Sequence, residues 1–189
     1  MNLIRKTGIL LLLGMNRIYY VVFLCLIGLT SSCNKDSSKM YYTEMMSNPL
    51  CINRTKYISA SSDSLFVKPF SKYRLIRYVD ASYCGICTYK QICSDMSNIE
   101  ELLQIPQTTI LKIHSTDITH IKYYSKILKN RYEVLLDTAD AFVSENRFVP
   151  DNNKFRIFLV DNNDSIILIG NPLSNKRMLG LYQQVVARK

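Results

Sequence analysis

The order of apolar and polar positions predicts alternating strands and helices over the C-terminal two thirds of the chain. Arg74–Asp80 is a β-rich run that leads into Gly85–Leu103, which is broadly helical. Near the C-terminus, Phe155–Asp161 and Ser165–Ile169 flank Asn162-Asn163-Asp164, which is a hairpin signal. The other predicted elements are the strands Thr109–His114 and Glu133–Asp137 and helices within Asp117–Lys129, Thr138–Asn146 and Ser174–Arg188.

The pattern is weaker between residues 41 and 71. Lys56–Ala60 and Ser64–Val67 are predicted as two short strands around the turn Ser61-Ser62-Asp63. Strands that alternate with helices and close in an antiparallel hairpin are typical of an α/β fold. We therefore expect a central mixed β-sheet flanked by helices on both faces.

An apolar run of twelve residues, Ile18–Leu29, follows Arg17 near the N-terminus. It is too short for a comfortable membrane span and has the length of a signal-peptide core. The alternative is an uncleaved anchor over residues 9–29, but an Arg inside such a helix costs about 2.5–3.5 kcal/mol on insertion. Met15 begins a complete signal of its own and is an alternative start of the protein.

The run ends in Thr30-Ser31-Ser32-Cys33, which resembles the lipobox of bacterial lipoproteins of the Bacteroidota type. The resemblance implies that residues 1–32 are a lipoprotein signal peptide and that the Cys33 thiol receives a lipid. The protein would then be held on a membrane in the cell envelope, outside the cytoplasm. The polar residues NKDSSK follow, so we interpret 33–55 as a tether and 56–189 as the folded domain.

Composition and charge exclude some classes of function. The 189 residues are 48% hydrophobic and 21% charged, as in a globular protein of one domain. The net charge is +9, but three of the 24 Lys and Arg residues precede residue 33, which leaves 21 basic against 15 acidic residues, or about +6. These charges are scattered and form no basic stripe with stacking aromatics, so we expect no nucleic-acid partner.

The chemistry of the chain centres on Cys84-Gly-Ile-Cys87, which lies between a predicted strand and a predicted helix. A thiol at a helix N-terminus meets unpaired backbone N–H groups and the positive end of the helix dipole, and both favour the thiolate. Cys84 is therefore the expected nucleophile. Cys87, one turn further on, is the expected resolving thiol, and the only redox group implied is the disulfide between them.

The segment YVDASYCGIC resembles the active-site strand and turn of the thioredoxin family, with Tyr83 where that family usually has Trp. Over Ser71–Tyr182 the chain resembles thioredoxin-like lipoproteins of Bacteroidota, in KYRLIRYVDASYCGIC and FRIFLVDNNDSIILIGNP, and its closing segment is similar to the TlpA and ResA type of membrane-anchored thiol reductases. The resemblance implies a thioredoxin-like fold and thiol–disulfide exchange at Cys84 and Cys87.

Three positions depart from the family pattern. Phe155 occupies the place of the cis-proline that contacts the redox pair, and the nearest proline, Pro150, is five residues earlier. Tyr78 occupies the place of the buried acid that assists resolution in many relatives. Asp80 follows two residues later and is interpreted as a strand-end or turn residue. Ile86 replaces the usual proline between the cysteines.

The other cysteines and the two histidines have ordinary interpretations. Cys25 is apolar filler in the leader, and Cys93 is a small buried hydrophobe. A Cys51–Cys93 disulfide is an alternative in an oxidising compartment, although no sequence rule derives it. No second CxxC or HxxxH accompanies His114 and His120, so we expect no metal site.

These observations leave three hypotheses for function. The first is a membrane-anchored oxidoreductase whose partners are protein thiols and disulfides in the envelope together with an unidentified redox partner protein. The second is a non-catalytic thioredoxin-fold binding or scaffold lipoprotein with a structural or vestigial CxxC, which the missing cis-proline favours. The third is a metal or metallo-cofactor carrier that uses the same cysteines.

Overall fold

The computed structural model describes residues 40, 42–60, 71–128, 132–150 and 155–188. The predicted signal peptide, the predicted lipidation residue Cys33 and the predicted strand Ser64–Val67 lie outside these residues. Among the helices of the described part, none is long and apolar enough to cross a membrane. Thr43–Lys189 forms one compact unit.

The described residues of this unit form six strands and, C-terminal to residue 60, four α-helices. The strands are β1 (Ile58–Ser59), β2 (Tyr73–Asp80), β3 (Gln107–Lys112), β4 (Glu133–Asp137), β5 (Ile157–Asp161) and β6 (Ile166–Ile169). The helices are α1 (Gly85–Leu103), α2 (Ile118–Ile127), α3 (Ala141–Glu145) and α4 (Lys176–Val186), with 3-10 turns at Arg54–Lys56 and Ser115–Asp117. Residues 43–47 are also helical.

All six strands join one mixed sheet in the order β1-β4-β3-β2-β5-β6. β2, β3 and β4 are parallel, whereas β5 pairs antiparallel with β2 and β6 antiparallel with β5. In the parallel register Asp80 pairs with Lys112, and Lys112 with Asp137. The carboxyl ends of three strands therefore meet at one edge of the sheet, and α1 begins just beyond that edge.

The core has two sides because successive strand residues point to opposite faces. On one face, α1 packs Tyr89, Ile92 and Met96 against the sheet at intervals of three and four residues, and Tyr182 of α4 joins the end of α1. On the other face, Phe142 of α3 packs with residues of the neighbouring strands. Residues 43–50, N-terminal to the predicted domain, add Met45 and Leu50 to that second side.

The architecture confirms the predicted α/β, thioredoxin-like fold with helices on both faces of a mixed sheet. The bounds of α1 and β4 match the prediction, whereas β3 begins and ends two residues earlier than Thr109–His114. The strand predicted at Lys56–Ala60 is only the two residues of β1, because a 3-10 turn occupies residues 54–56.

Helix α3 is also shorter than its prediction, and one buried carboxylate explains why. Asp137 is completely buried and accepts the backbone N–H groups of Ala139, Ala141 and Phe142. These bonds hold residues 138–140 in a turn, in which Asp140 has a left-handed φ of 55°. The helix can therefore begin only at Ala141, and its apolar face is fixed against the sheet.

Replacing Asp137 by Ala should lower the free energy of unfolding by about 2–3 kcal/mol, because three backbone N–H groups lose their acceptor. Urea denaturation followed by circular dichroism measures the loss. Glu101→Ala, an exposed change on α1, is the control and should stay within about 0.5 kcal/mol of the parent. An Asp137→Ala midpoint equal to that of the control would contradict this account of the α3 turn.

Candidate functional site: a cysteine pair at the start of helix α1

Cys84 and Cys87 lie at the N-terminus of α1 and are bonded to each other, with their Cα atoms 5.5 Å apart. Cys84 is the N-cap residue in extended conformation, and its Sγ accepts the backbone N–H of Cys87 at 3.3 Å. A thiolate at this position would receive the same N–H and the positive end of the helix dipole. Cys84 therefore has the helix-cap position that the sequence predicted, and its role as the nucleophile stays a prediction.

A tight turn carries the chain from β2 to Cys84. Ala81 donates its backbone N–H to the carbonyl of Lys112 at 2.9 Å, which continues the strand pairing by one residue. Asp80 then accepts the backbone N–H of Ser82 at 3.1 Å and its hydroxyl at 2.6 Å. This Asx-type turn confirms the interpretation of Asp80 as a strand-end and turn residue.

Both cysteines of the pair are exposed, and the Tyr83 side chain beside them is fully exposed. Gly85, by contrast, is buried within the first turn of α1. A second protein can therefore reach either sulfur from the solvent side. Exposure alone does not distinguish the nucleophile, so the assignment to Cys84 depends on its position at the helix cap.

Tyr78 lies where the related proteins place a buried acid, and its surroundings are those of a core residue. Its ring stacks on Phe142 at 4.6 Å between centroids, and the guanidinium of Arg156 lies 5.0 Å from the ring centroid. Burial raises the pKa of Tyr78 to about 12. The phenol is therefore protonated at neutral pH and does not accept a proton from a thiol.

The charged groups near this tyrosine lie at the strand ends. Lys112 Nζ is 2.8 Å from Asp140 Oδ1 and 3.6 Å from Asp80 Oδ2. Partial burial acts to raise the pKa of Asp80, but the two Ser82 hydrogen bonds and the charges of Lys112 and Arg156 outweigh it and lower that pKa. The hydrogen bond to Asp140 raises the pKa of Lys112, so Asp80 and Lys112 both stay ionised at neutral pH.

A cleft of about 390 Å³ opens beside this cluster. Its walls combine the charged strand ends with apolar side chains from α3 and the following loop, including Phe142, Val143, Val149 and Pro150. Because Asp80 is four residues before Cys84, the cleft begins within about 14 Å of the redox pair along the chain. An extended peptide of a few residues could reach from one to the other.

Phe155, which takes the place of the family's cis-proline, is half-buried and packs against the core cluster that contains Tyr78. The next residue, Arg156, accepts the backbone N–H of Tyr78 at its carbonyl, at 2.9 Å. The segment before β5 therefore lies beside the end of β2, and a phenylalanine that packs against the core stands where the family that the sequence resembles has a cis-proline. Pro150 lies in the cleft wall.

Cys51 and Cys93 are both free, so the alternative of a Cys51–Cys93 disulfide is wrong. Cys93 is half-buried in α1 among the residues between α1 and α2, and burial raises the pKa of its thiol. Cys51 exchanges two hydrogen bonds with the Asn146 side chain, and its neighbours Leu50 and Ile52 pack on the opposite face of the sheet. The sheet thus separates the two cysteines.

The two histidines do not join the cysteines. His114 precedes the 3-10 turn after β3, His120 lies on α2, and both are exposed. Within the described residues, no three His, Cys, Asp or Glu side chains come together in a way that could hold a metal ion. The described residues therefore offer no cluster of side chains that supports the metal-carrier hypothesis.

Sequence reasoning missed one acid near the pair. The carboxylate of Asp117 lies against Gly85, with Oδ2 only 2.9 Å from the position that a Cβ at residue 85 would occupy. The two residues are 32 positions apart and belong to no common motif, so no sequence signal joins them. The fold brings them together by packing the turn after β3 on the start of α1.

No protein-family model matches the chain, and no curated protein matches it. An uncharacterised thioredoxin-like protein from Porphyromonas gingivalis is similar in structure, with 18% identity, a TM-score of 0.41 and coverage of 61% of this chain and 76% of that one. The thioredoxin domain of a thiol-disulfide oxidoreductase from Bacteroides vulgatus has 14% identity, a TM-score of 0.39 and coverage of 61% and 80%. Arabidopsis thaliana ScoI with copper bound has 11% identity, a TM-score of 0.37 and coverage of 62% and 83%.

In the reduced protein, Cys84 should react with iodoacetamide with an apparent pKa below the value of about 8.5 of a free thiol, because its thiolate accepts a helix N–H. Cys93 should stay unreactive until the protein unfolds. Mass spectrometry of the peptides over a pH series measures each site, with Cys51 as the exposed internal reference. Equal profiles for Cys84 and Cys51 would refute stabilisation by the helix.

Proposed function

We propose that this chain is a thiol–disulfide oxidoreductase that acts on proteins of the bacterial cell envelope. The observation that carries the proposal is the exposed Cys84–Cys87 disulfide at the N-terminus of α1, with Cys84 Sγ accepting a backbone N–H of the helix. This geometry combines the two properties that exchange requires. The attacking sulfur is stabilised as a thiolate, and the resolving sulfur lies within bonding distance.

The reaction follows from the order of the two sulfurs. The Cys84 thiolate attacks one sulfur of a substrate disulfide, so that a Cys84–substrate bond forms, the substrate bond breaks and one substrate thiolate leaves. Cys87, as a thiolate, then attacks Cys84 Sγ, which forms the Cys84–Cys87 disulfide and releases the second substrate thiolate. Two electrons pass from the pair to the substrate, and an envelope redox protein must return them. The same steps in reverse oxidise a substrate dithiol.

The surroundings of the pair support contact with a protein substrate. Tyr83 offers an exposed aromatic side chain next to Cys84, and the cleft at the strand ends lies within reach of a short extended segment. Because Tyr78 is a neutral phenol, it cannot take the proton from Cys87. Deprotonation of Cys87 would then depend on solvent or on a carboxylate near the start of α1.

A non-catalytic binding or scaffold lipoprotein is the second candidate. It is favoured by two substitutions, Tyr78 in the place of the assisting acid and Phe155 in the place of the cis-proline. In that case the disulfide would only brace the first turn of α1. The two candidates differ in whether the pair cycles between its two states.

We also propose that the protein is anchored to a membrane by lipid on Cys33, with the domain outside the cytoplasm. The support is the sequence alone: a short apolar run, small residues and then a cysteine. An oxidising compartment is where a structural or cycling disulfide persists. The anchor would hold the redox pair near the membrane.

Replacing Cys84 by Ser in the full chain, purified in detergent, should reduce insulin reduction by dithiothreitol to the uncatalysed rate, because no mixed disulfide can form. Cys93→Ser is the matched control and should retain the activity of the parent. A glutathione titration of the parent should show one two-electron transition of the pair. A pair that does not cycle, or a Cys84→Ser variant as active as the control, would favour the scaffold.

Lipidation should be lost when Cys33 is replaced by Ser. In a bacterial host that processes lipoproteins, the parent should partition into the detergent phase and carry a diacylglyceryl mass on its first residue, Cys33. The Cys33→Ser variant should partition into the aqueous phase or keep its leader, and Cys25→Ser is the control. A parent without added lipid mass would contradict the anchor and leave the redox proposal untouched.

A further inference from the structure

We propose that Asp117 is a positioning residue for the redox pair, whose carboxylate stabilises the Cys84–Cys87 disulfide relative to the dithiol. The inference rests on the proposed oxidoreductase function and deepens it. It starts from the contact between the Asp117 carboxylate and Gly85 at the first position of α1. Nothing in the CxxC motif itself requires an acid at this place.

The contact explains why residue 85 is a glycine. A Cβ there would lie 2.9 Å from Asp117 Oδ2 and 3.3 Å from its Cγ, which is closer than side-chain atoms normally approach. Gly85 is buried and Asp117 is partly buried, so an added methyl group would have to displace the carboxylate. The glycine therefore lets the carboxylate approach the backbone of the redox helix.

The same contact limits the distance between the carboxylate and the nucleophile. Oδ2 lies within about 4.5 Å of the Gly85 Cα, and consecutive Cα atoms are about 3.8 Å apart, so it lies within about 8 Å of the Cys84 Cα. The Cys84 Sγ is at most about 2.8 Å from its Cα, so the two charges lie within about 11 Å of each other, which is comparable to the screening length of about 10 Å at 0.1 M salt. The carboxylate and a Cys84 thiolate therefore repel each other across the first turn of α1.

The Asp117 carboxylate and a Cys84 thiolate are both stabilised by the positive potential of the same helix N-terminus. In the disulfide state Cys84 carries no charge, and Asp117 alone benefits from that potential. After reduction the thiolate must share it with the carboxylate. The reduced state is destabilised relative to the oxidised state, so the pair becomes a stronger reductant than its position at the helix cap alone would make it.

Other charged groups lie at the same edge of the sheet and are common to the parent and the variants. Asp80 and Lys112 end β2 and β3, Asp140 pairs with Lys112, Arg156 covers Tyr78, His114 precedes the 3-10 turn and Lys90 lies on α1. A comparison at one residue therefore isolates the contribution of Asp117. The matched control is Glu101→Gln, which removes the same charge about 24 Å further along α1.

The decisive experiment is a glutathione titration of the full chain and of Asp117→Asn. The variant should shift the equilibrium towards the dithiol by about three- to tenfold, and Cys84 should react with iodoacetamide about three- to tenfold faster at pH 6. Asp117→Glu should partly restore the parent values, and Glu101→Gln should match the parent. If Asp117→Asn does not fold, Asp117→Ser is titrated in its place.

Equal titrations for Asp117→Asn and Glu101→Gln, or a shift towards the disulfide, would reject the role of Asp117. A parent pair that does not cycle would reject the oxidoreductase proposal instead. The alkylation rate of chemically reduced Cys84 would then still report on Asp117. A role in helix stability alone would lower the melting temperature of the oxidised and reduced forms equally and would not move the redox equilibrium.

The contact itself has an independent test. Gly85→Ala should lower the melting temperature in the parent, because the new methyl group meets the carboxylate. In an Asp117→Ala background the same change should be neutral or stabilising, since alanine favours a helix more than glycine does. Equal effects of Gly85→Ala in both backgrounds would show that Asp117 does not press on the redox helix.

Discussion

The parallel pairing of β3 with β2 on one side and with β4 on the other is the constraint on which the rest of the structure depends. It brings three carboxyl strand ends, Asp80, Lys112 and Asp137, to one edge of the sheet. Each of them then begins a different feature: the turn to the redox helix, an ion cluster and the cap of α3. An antiparallel arrangement would have distributed these residues over two edges and left the cysteine pair without its neighbours.

At that edge the protein separates charged from neutral groups by burial. Asp80, Lys112 and Asp140 are partly exposed and in contact, and two carboxylates share the single ammonium of Lys112. Tyr78, two residues earlier in β2, is buried, and burial raises its pKa further above neutral pH, to about 12. The phenol therefore stays neutral beside the charged strand ends.

Two groups that can carry negative charge lie close to the first turn of α1. The sulfur of Cys84 takes one backbone N–H, and the Asp117 carboxylate approaches the same turn through the space above Gly85. The positive potential of a helix N-terminus is confined to the first turn, so two negative groups close to that turn influence each other. The free thiols Cys51 and Cys93 stand apart from this turn, on opposite faces of the sheet.

The sequence by itself determined the features that depend on neighbouring residues. The apolar pattern located β2 and α1, the turn residues located the β5–β6 hairpin, and together they placed Cys84-Gly-Ile-Cys87 at a strand–helix junction. Only the tertiary structure decided what depends on distant residues: the separation of Cys51 from Cys93, the shortening of α3 by Asp137, and the approach of Asp117 to Gly85. Local patterns record the conformation that each segment prefers, but contacts between segments arise only when the sheet closes and buries them together. The leader and Cys33 lie outside the described residues and stay predictions of the sequence.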